Sequence, residues 1–135
     1  MKKIALSIAA GIMLFGCATA QQQGPAEVKN LTPDEFKEQK MNSRAVLIDV
    51  RTPEEYATGH LDGAVNSDYR GGDFAGDLQR WDKDKVYYLY CATGNRSSKA
   101  AELLKEAGFK HIYNIGGFQT LKESGLPTTT EADQQ

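Results

Sequence analysis

The sequence predicts an α/β domain built on a mainly parallel sheet, and three observations carry that reading. Two short apolar runs, Ala45–Ile48 and Val86–Tyr90, have the continuous hydrophobicity of strands covered on both faces. Helical signals alternate with such runs along the chain, and strands alternating with helices imply parallel crossovers. The 135 residues are enough for one domain of this kind.

The elements follow in order. Thr32-Pro33-Asp34-Glu35 is a helix opening: a Thr cap, Pro in the first turn and Glu closing the capping box. This helix is expected to run to about Met41 with Phe36 inward. After the strand ending at Asp49, Thr52-Pro53-Glu54-Glu55 repeats the pattern and opens a short helix that stops at Gly59. A brief strand is expected at Ala64–Asn66, a loop at 67–73, and a weak helix at 74–81 with Phe74, Leu78 and Trp81 on one side. The strand at 86–90 is rich in β-branched and aromatic residues, and Tyr87, Tyr88 and Tyr90 are expected in the core. Ser98 to Ala107 carries apolar residues at helical spacing, and Gly108 stands where a C-terminal cap belongs. A last strand, His111–Ile115, leads through Gly116-Gly117 into a short helix. The folded domain is expected over residues 28–127, and the polar residues 128–135 as a frayed tail.

The amino terminus has the marks of an export signal. Lys2 and Lys3 precede an apolar run, Ile4 to Phe15, too short for the roughly 20 residues that a spanning helix needs. Residues 1–20 are therefore expected to be a signal peptide and 21–27 a flexible tether. Two processing sites compete. Leu14-Phe15-Gly16-Cys17 resembles a lipobox, although Phe15 departs from the usual small residue; cleavage there leaves an acylated Cys17. Ala18-Thr19-Ala20 offers ordinary signal-peptidase cleavage and a soluble product. We expect the lipoprotein, held to the outer membrane on the periplasmic side, with a soluble periplasmic protein as the alternative. Contact with a membrane is expected only through the lipid at Cys17.

Charge narrows the partners. Acidic residues outnumber basic ones by 18 to 16, and removal of Lys2 and Lys3 widens the gap. No basic cluster suggests nucleic acid as a partner. The chain has two cysteines. With Cys17 acylated or removed, Cys91 is the lone thiol of the mature domain, and a disulfide is not expected.

Cys91 opens the segment with the most chemistry: strand, Cys, a Gly-containing turn, then Arg at a helix start. Unpaired N–H groups at a helix N-terminus, at the positive end of its dipole, favour an anion. A loop wrapped on Cys91 directs such donors at the sulfur and stabilises a thiolate or persulfide. Gly94 allows the tight turn, Arg96 offers a two-point contact to an oxyanion, and Ser97 is expected to cap the following helix.

The sequence at this point resembles the rhodanese family. Cys91 to Ser97, CATGNRS, matches the family's C-x-x-G-x-R-S loop. Leu47 to Asn66 resembles its D-V-R to G-A-x-N segment, and Gly116-Gly117 with Gly125-Leu126-Pro127 resembles its closing segment. Leu121 stands where the family often has Trp, and Ser67 to Asp73 replaces a common Ile-Pro continuation. The resemblance implies a three-layer rhodanese-like fold with helices flanking the sheet. It also implies a sulfurtransferase in which Cys91 is the catalytic nucleophile and forms a persulfide. Ala92, Thr93, Gly94, Asn95, Arg96 and Ser97 are then the substrate-binding loop, with no metal and no cofactor. The partners implied are a small anionic donor such as thiosulfate and an acceptor that is cyanide, a thiol or another protein.

Asp49, Arg51, Glu55 and His60 also match the motif and are expected to serve structure, with Arg51 pairing locally to Glu55 and His60 bonding the loop before Gly63. Two other readings remain: a persulfide carrier without turnover, and a fold-related cysteine phosphatase or arsenate reductase. The second is disfavoured because four residues separate Cys91 from Arg96, where the related phosphatases have five around a larger oxyanion.

Overall fold

The computed structural model describes residues 24–134. The expected signal peptide, its competing processing sites and Cys17 lie outside the described residues.

In chain order the elements are β1 (Val28–Asn30), α1 (Pro33–Lys37), β2 (Ala45–Asp49), α2 (Pro53–Ala57), β3 (His60–Leu61), β4 (Val65–Asn66), α3 (Asp73–Asp77), β5 (Val86–Cys91), α4 (Asn95–Glu106), β6 (His111–Gly117), α5 (Phe118–Glu123) and β7 (Thr128–Thr129), closed by a 3₁₀ turn at Glu131–Gln134. Five strands form one parallel sheet in the order β1-β6-β5-β2-β4, and β3 pairs antiparallel with β7. The central strands β2 and β5 are the two apolar runs of the sequence.

Alternation along those strands divides the core in two. Ile48, Val50, Leu89, Cys91 and Ile112 face α3 and α4, where Phe74, Leu78, Ala100, Ala101 and Leu104 meet them. Leu47, Tyr88, Tyr90 and Ile115 face the other way, against Phe36 of α1 and Leu121 of α5. The result is three layers, with Leu121 fully buried. Tyr87, Tyr88 and Tyr90 are buried as expected. Burial pushes the Tyr87 phenol up to about 12, and it donates to the Asp82 carbonyl at 2.8 Å.

Local signals set the helix ends. Thr32 and Glu35 form the reciprocal capping box of α1. At the end of α4, Gly108 adopts φ 88°, and the N–H groups of Gly108 and Phe109 close onto the carbonyls of Lys105 and Leu104.

Three expectations need correction. Helix α1 ends at Lys37 rather than near Met41, because its single buried side chain, Phe36, leaves the second turn nothing to pack. The segment from Thr128 to Gln134 is not frayed. Thr128–Thr129 adds a strand to His60–Leu61, and the Gln134 side chain reaches His60 Nε2 at 3.2 Å. Helix α3 is shorter than expected, Asp73–Asp77 rather than 74–81, and β1, for which the sequence carries no pattern, is defined by pairing with β6 and by the bond from Leu31 N–H to the Asn114 carbonyl.

Candidate active site

The sheet ladder places the candidate nucleophile. Cys91 is the last residue of β5, buried, and free of any disulfide. Strands β2 and β5 run in the same sense, so the segments after Asp49 and after Cys91 leave the sheet at the same edge.

Between β5 and α4 the chain turns tightly around the sulfur. The Gly94 N–H donates to Cys91 Sγ at 3.0 Å, and the Ser97 hydroxyl lies 3.5 Å from it. Burial works against ionisation of the thiol. Hydrogen bonds from the Ser97 hydroxyl and from the backbone of Ser97, Thr93 and Gly94 outweigh that cost and hold Cys91 below the ordinary thiol value. Ala92, Thr93 and Asn95 are exposed around this cradle.

Two glycines make the approach possible. Gly94 caps α4 with φ 93°, a backbone region that side chains resist. A β-carbon on Gly117 would stand 2.6 Å from the Ala92 carbonyl oxygen, so the loop and β6 come together only over a bare backbone. A register shift in the β5–β6 ladder brings this about. Leu89 pairs with Asn114 but Tyr90 with Gly116, so Cys91 falls opposite Gly117. Bulges of this kind favour places where a side chain must be re-aimed.

The charged residues assort differently from expectation. Arg96 does make a two-point contact, but with Glu55: Nη1 to Oε1 and Nη2 to Oε2, both at 2.9 Å. Arg51 pairs not with Glu55 but with Asp49, and Arg51 also donates to the Gly59 carbonyl at 2.7 Å. Glu55 is drawn to Arg96, so the second capping box is only half made: Thr52 accepts from the Glu55 N–H. The Arg96 hydrogen bonds hold the Glu55 carboxyl below the usual range.

Ser97 does not cap α4; Gly94 occupies that position, and Ser97 sits inside the first turn facing the sulfur. His60 bonds the Tyr56 carbonyl through Nδ1 at 2.9 Å and stacks on the Tyr56 ring, rather than meeting the loop before Gly63.

Asn114 is a residue that the sequence reading missed. Its side chain accepts from Ser97 Oγ at 2.7 Å and from Gly116 N–H at 3.2 Å, and donates to Asn30 Oδ1 and the Gly94 carbonyl. No spacing rule connects it to Cys91, because the link runs across the ladder.

An α/β fold with one buried, acidified cysteine wrapped by the first turn of a helix defines a domain suited to thiolate chemistry. A family model for the rhodanese-like domain matches residues 32–124, and the chain belongs to that family. It is 33% identical over 106 residues to the thiosulfate sulfurtransferase GlpE of Pseudomonas putida, covering 78% of this chain and 94% of that one. It is 36% identical over 80 residues to the thiosulfate sulfurtransferase PspE of Escherichia coli, covering 59% and 74%. Among solved structures, a rhodanese-related protein from Thermoplasma volcanium superposes with a TM-score of 0.66 at 27% identity, covering 76% of this chain and 99% of the other. A rhodanese-like domain protein from Staphylococcus aureus gives 0.61 at 32%, covering 73% and 96%. These relatives support a sulfurtransferase of the rhodanese type and the three-layer fold.

Proposed function

We propose that the protein moves sulfane sulfur from a donor such as thiosulfate to a thiophilic acceptor through a persulfide on Cys91. The observation that carries this reading is the Cys91 sulfur, acidified by the backbone and hydroxyl donors of one short loop. The Cys91 thiolate attacks the outer sulfur of thiosulfate, a new S–S bond forms, and sulfite leaves with the electrons of the old one. A nucleophilic acceptor then attacks the outer sulfur of the persulfide, and Cys91 departs as the thiolate. Each half-reaction regenerates the charge that the loop stabilises, so neither needs a metal or an organic cofactor. The order of events predicts ping-pong kinetics.

The test is a thiosulfate:cyanide assay beside mass spectrometry of the Cys91 peptide after thiosulfate alone. Gain of one sulfur atom together with turnover supports the proposal. Sulfur loading without turnover favours the carrier, and the absence of loading removes the persulfide.

In this mechanism Arg96 ties α4 to α2 through Glu55 and holds positive charge beside the loop. Arg96→Ala is expected to lower kcat/KM for thiosulfate by about ten- to a hundredfold. Steady-state kinetics check it, and unchanged constants would take Arg96 out of the site. Glu55 is more acidic folded than unfolded, so its pairing supports the fold fully above the ordinary carboxyl value and is lost as pH falls through the lowered folded value.

We place the domain in the periplasm, anchored to the outer membrane by acyl chains on Cys17. Support comes from Gly16-Cys17 after an apolar run and from the polar residues 21–27 that follow. One acyl chain anchors only marginally, so stable attachment requires several on the same cysteine. The full-length protein is expected to fractionate with membranes and Cys17→Ser to lose that anchorage. Mass spectrometry of the mature N-terminus decides, and an unmodified chain starting at Gln21 overturns the lipoprotein.

A further inference from the structure

The Ser97 hydroxyl has one proton and two acceptors within reach. Asn114 Oδ1 lies at 2.7 Å and Cys91 Sγ at 3.5 Å. The orientation of the Asn114 amide is set by two backbone partners and one side chain: its oxygen receives the Gly116 N–H, and its nitrogen faces the Gly94 carbonyl at 3.4 Å and Asn30 Oδ1 at 3.1 Å. Its oxygen is therefore a fixed acceptor. Asn114, Ser97 and Cys91 are all buried.

We propose that Asn114 is a positioning residue for Cys91: its side-chain carbonyl accepts the Ser97 hydroxyl hydrogen bond while the sulfur is a neutral thiol, and releases it when the sulfur carries charge. This rests on the thiolate chemistry proposed above and adds a residue to it.

The distances decide the resting state. A neutral thiol is a weak acceptor, and a contact at 2.7 Å to an amide oxygen is much the better bond. Ser97 then presents a lone pair to the sulfur. A thiolate reverses the preference, because a hydrogen bond to a charged acceptor is about twice as strong as one to a neutral acceptor. When sulfur is loaded, charge moves to the outer atom of the persulfide and the Ser97 O–H turns back to Asn114. Alternation along β6 puts Asn114 on the α4 face with Ile112, and the bulge that follows it lets Gly116 and Gly117 meet the loop.

Asn114 thus stabilises the thiol and restrains ionisation of Cys91. A side chain that merely braced the loop would act in the opposite sense, since its loss would pull backbone donors away from the sulfur. The charged groups around the site are Arg96 on α4, Glu55 on α2, and the Asp49–Arg51 pair at the end of β2. Strand β6 contributes Asn114 and two glycines. None of these charges changes in the variants below.

The experiment is the pH profile of Cys91 alkylation by iodoacetamide in the full chain, followed on the Cys91 peptide by mass spectrometry so that Cys17 does not contribute. Asn114→Leu keeps the shape and removes the carbonyl. Its midpoint is expected at lower pH than wild type, with alkylation below the midpoint about two- to threefold faster. In the Ser97→Ala background the same substitution is expected to leave the midpoint where Ser97→Ala alone puts it. A midpoint that rises or stays put in Asn114→Leu overturns the proposal, as does an equal fall with Ser97 already gone. Should Asn114→Leu not fold, Asn114→Ala also lacks the carbonyl and faces the same outcomes. Alkylation uses no sulfur donor, so failure of wild-type Cys91 to gain sulfur from thiosulfate would refute the sulfurtransferase mechanism separately.

Discussion

Replacement of Cys91 by Ser is expected to lower sulfur transfer by at least about a thousandfold while leaving the fold in place. The substitution exchanges the atom that forms the S–S bond for an oxygen that holds its proton far more tightly. It changes little volume at a buried position, and the Gly94 N–H and Ser97 hydroxyl still find a polar partner. A thiosulfate:cyanide assay reads the activity, and urea denaturation reads the fold. Near-wild-type turnover in Cys91→Ser would end the mechanism. The same sulfur sets the pH dependence. Because folded Cys91 is more acidic than an ordinary thiol, wild-type sulfur loading should rise with pH and level off below the range where an unstructured cysteine ionises. The linked stability has the matching sign: it is full above the unfolded thiol's pKa and lost as pH falls through the folded one.

Asp49→Ala is expected to cost about 3–5 kcal/mol of stability, a large share of what a domain of this size has. Asp49 is completely buried and Arg51 nearly so. The Asp49 carboxylate meets Arg51 Nη2 at 2.6 Å and Nε at 3.0 Å, and it also accepts the Arg51 backbone N–H at 2.9 Å. The guanidinium lies 4.2 Å from the centre of the Phe118 ring and 5.8 Å from that of Tyr90. These contacts help, but they do not neutralise a cation cut off from water. Removal of Asp49 strands that charge, which is the costly half of breaking a buried pair. The double variant Asp49→Leu/Arg51→Met buries no charge and is expected to lie much closer to wild type. Urea denaturation of both checks this; an unchanged midpoint in Asp49→Ala would show that the pair contributes nothing.

Contiguous segments were the most legible part of this chain. The two buried strands, the capped helix starts and the glycine stop after Ala107 depend on neighbours within a few residues, and they occur where pattern places them. The Cys91–Ser97 loop was readable for the same reason: strand, turn and helix start are consecutive. Charge pairing was not. Arg51 has carboxylates two and four residues away, and spacing alone does not choose between Asp49 and Glu55. The fold chooses, by setting α2 beside α4 so that Glu55 faces Arg96 across forty-odd residues of sequence.

By itself, then, the sequence determined the class of fold, the identity of the candidate nucleophile and the short loop that surrounds it. Tertiary structure alone decided what that loop leans on. The β5–β6 register, shifted by one residue after Asn114, set Gly117 against Ala92, and alternation along β6 aimed Asn114 at Ser97. Pairing with β6 and with β3 recruited Val28–Asn30 and Thr128–Thr129 as strands, neither of which carries a periodic signal. The physical reason is common to all of these. A hydrogen bond across a ladder depends on which residues the sheet brings opposite one another, and that register is settled by burial along whole strands rather than by residue type at any one position.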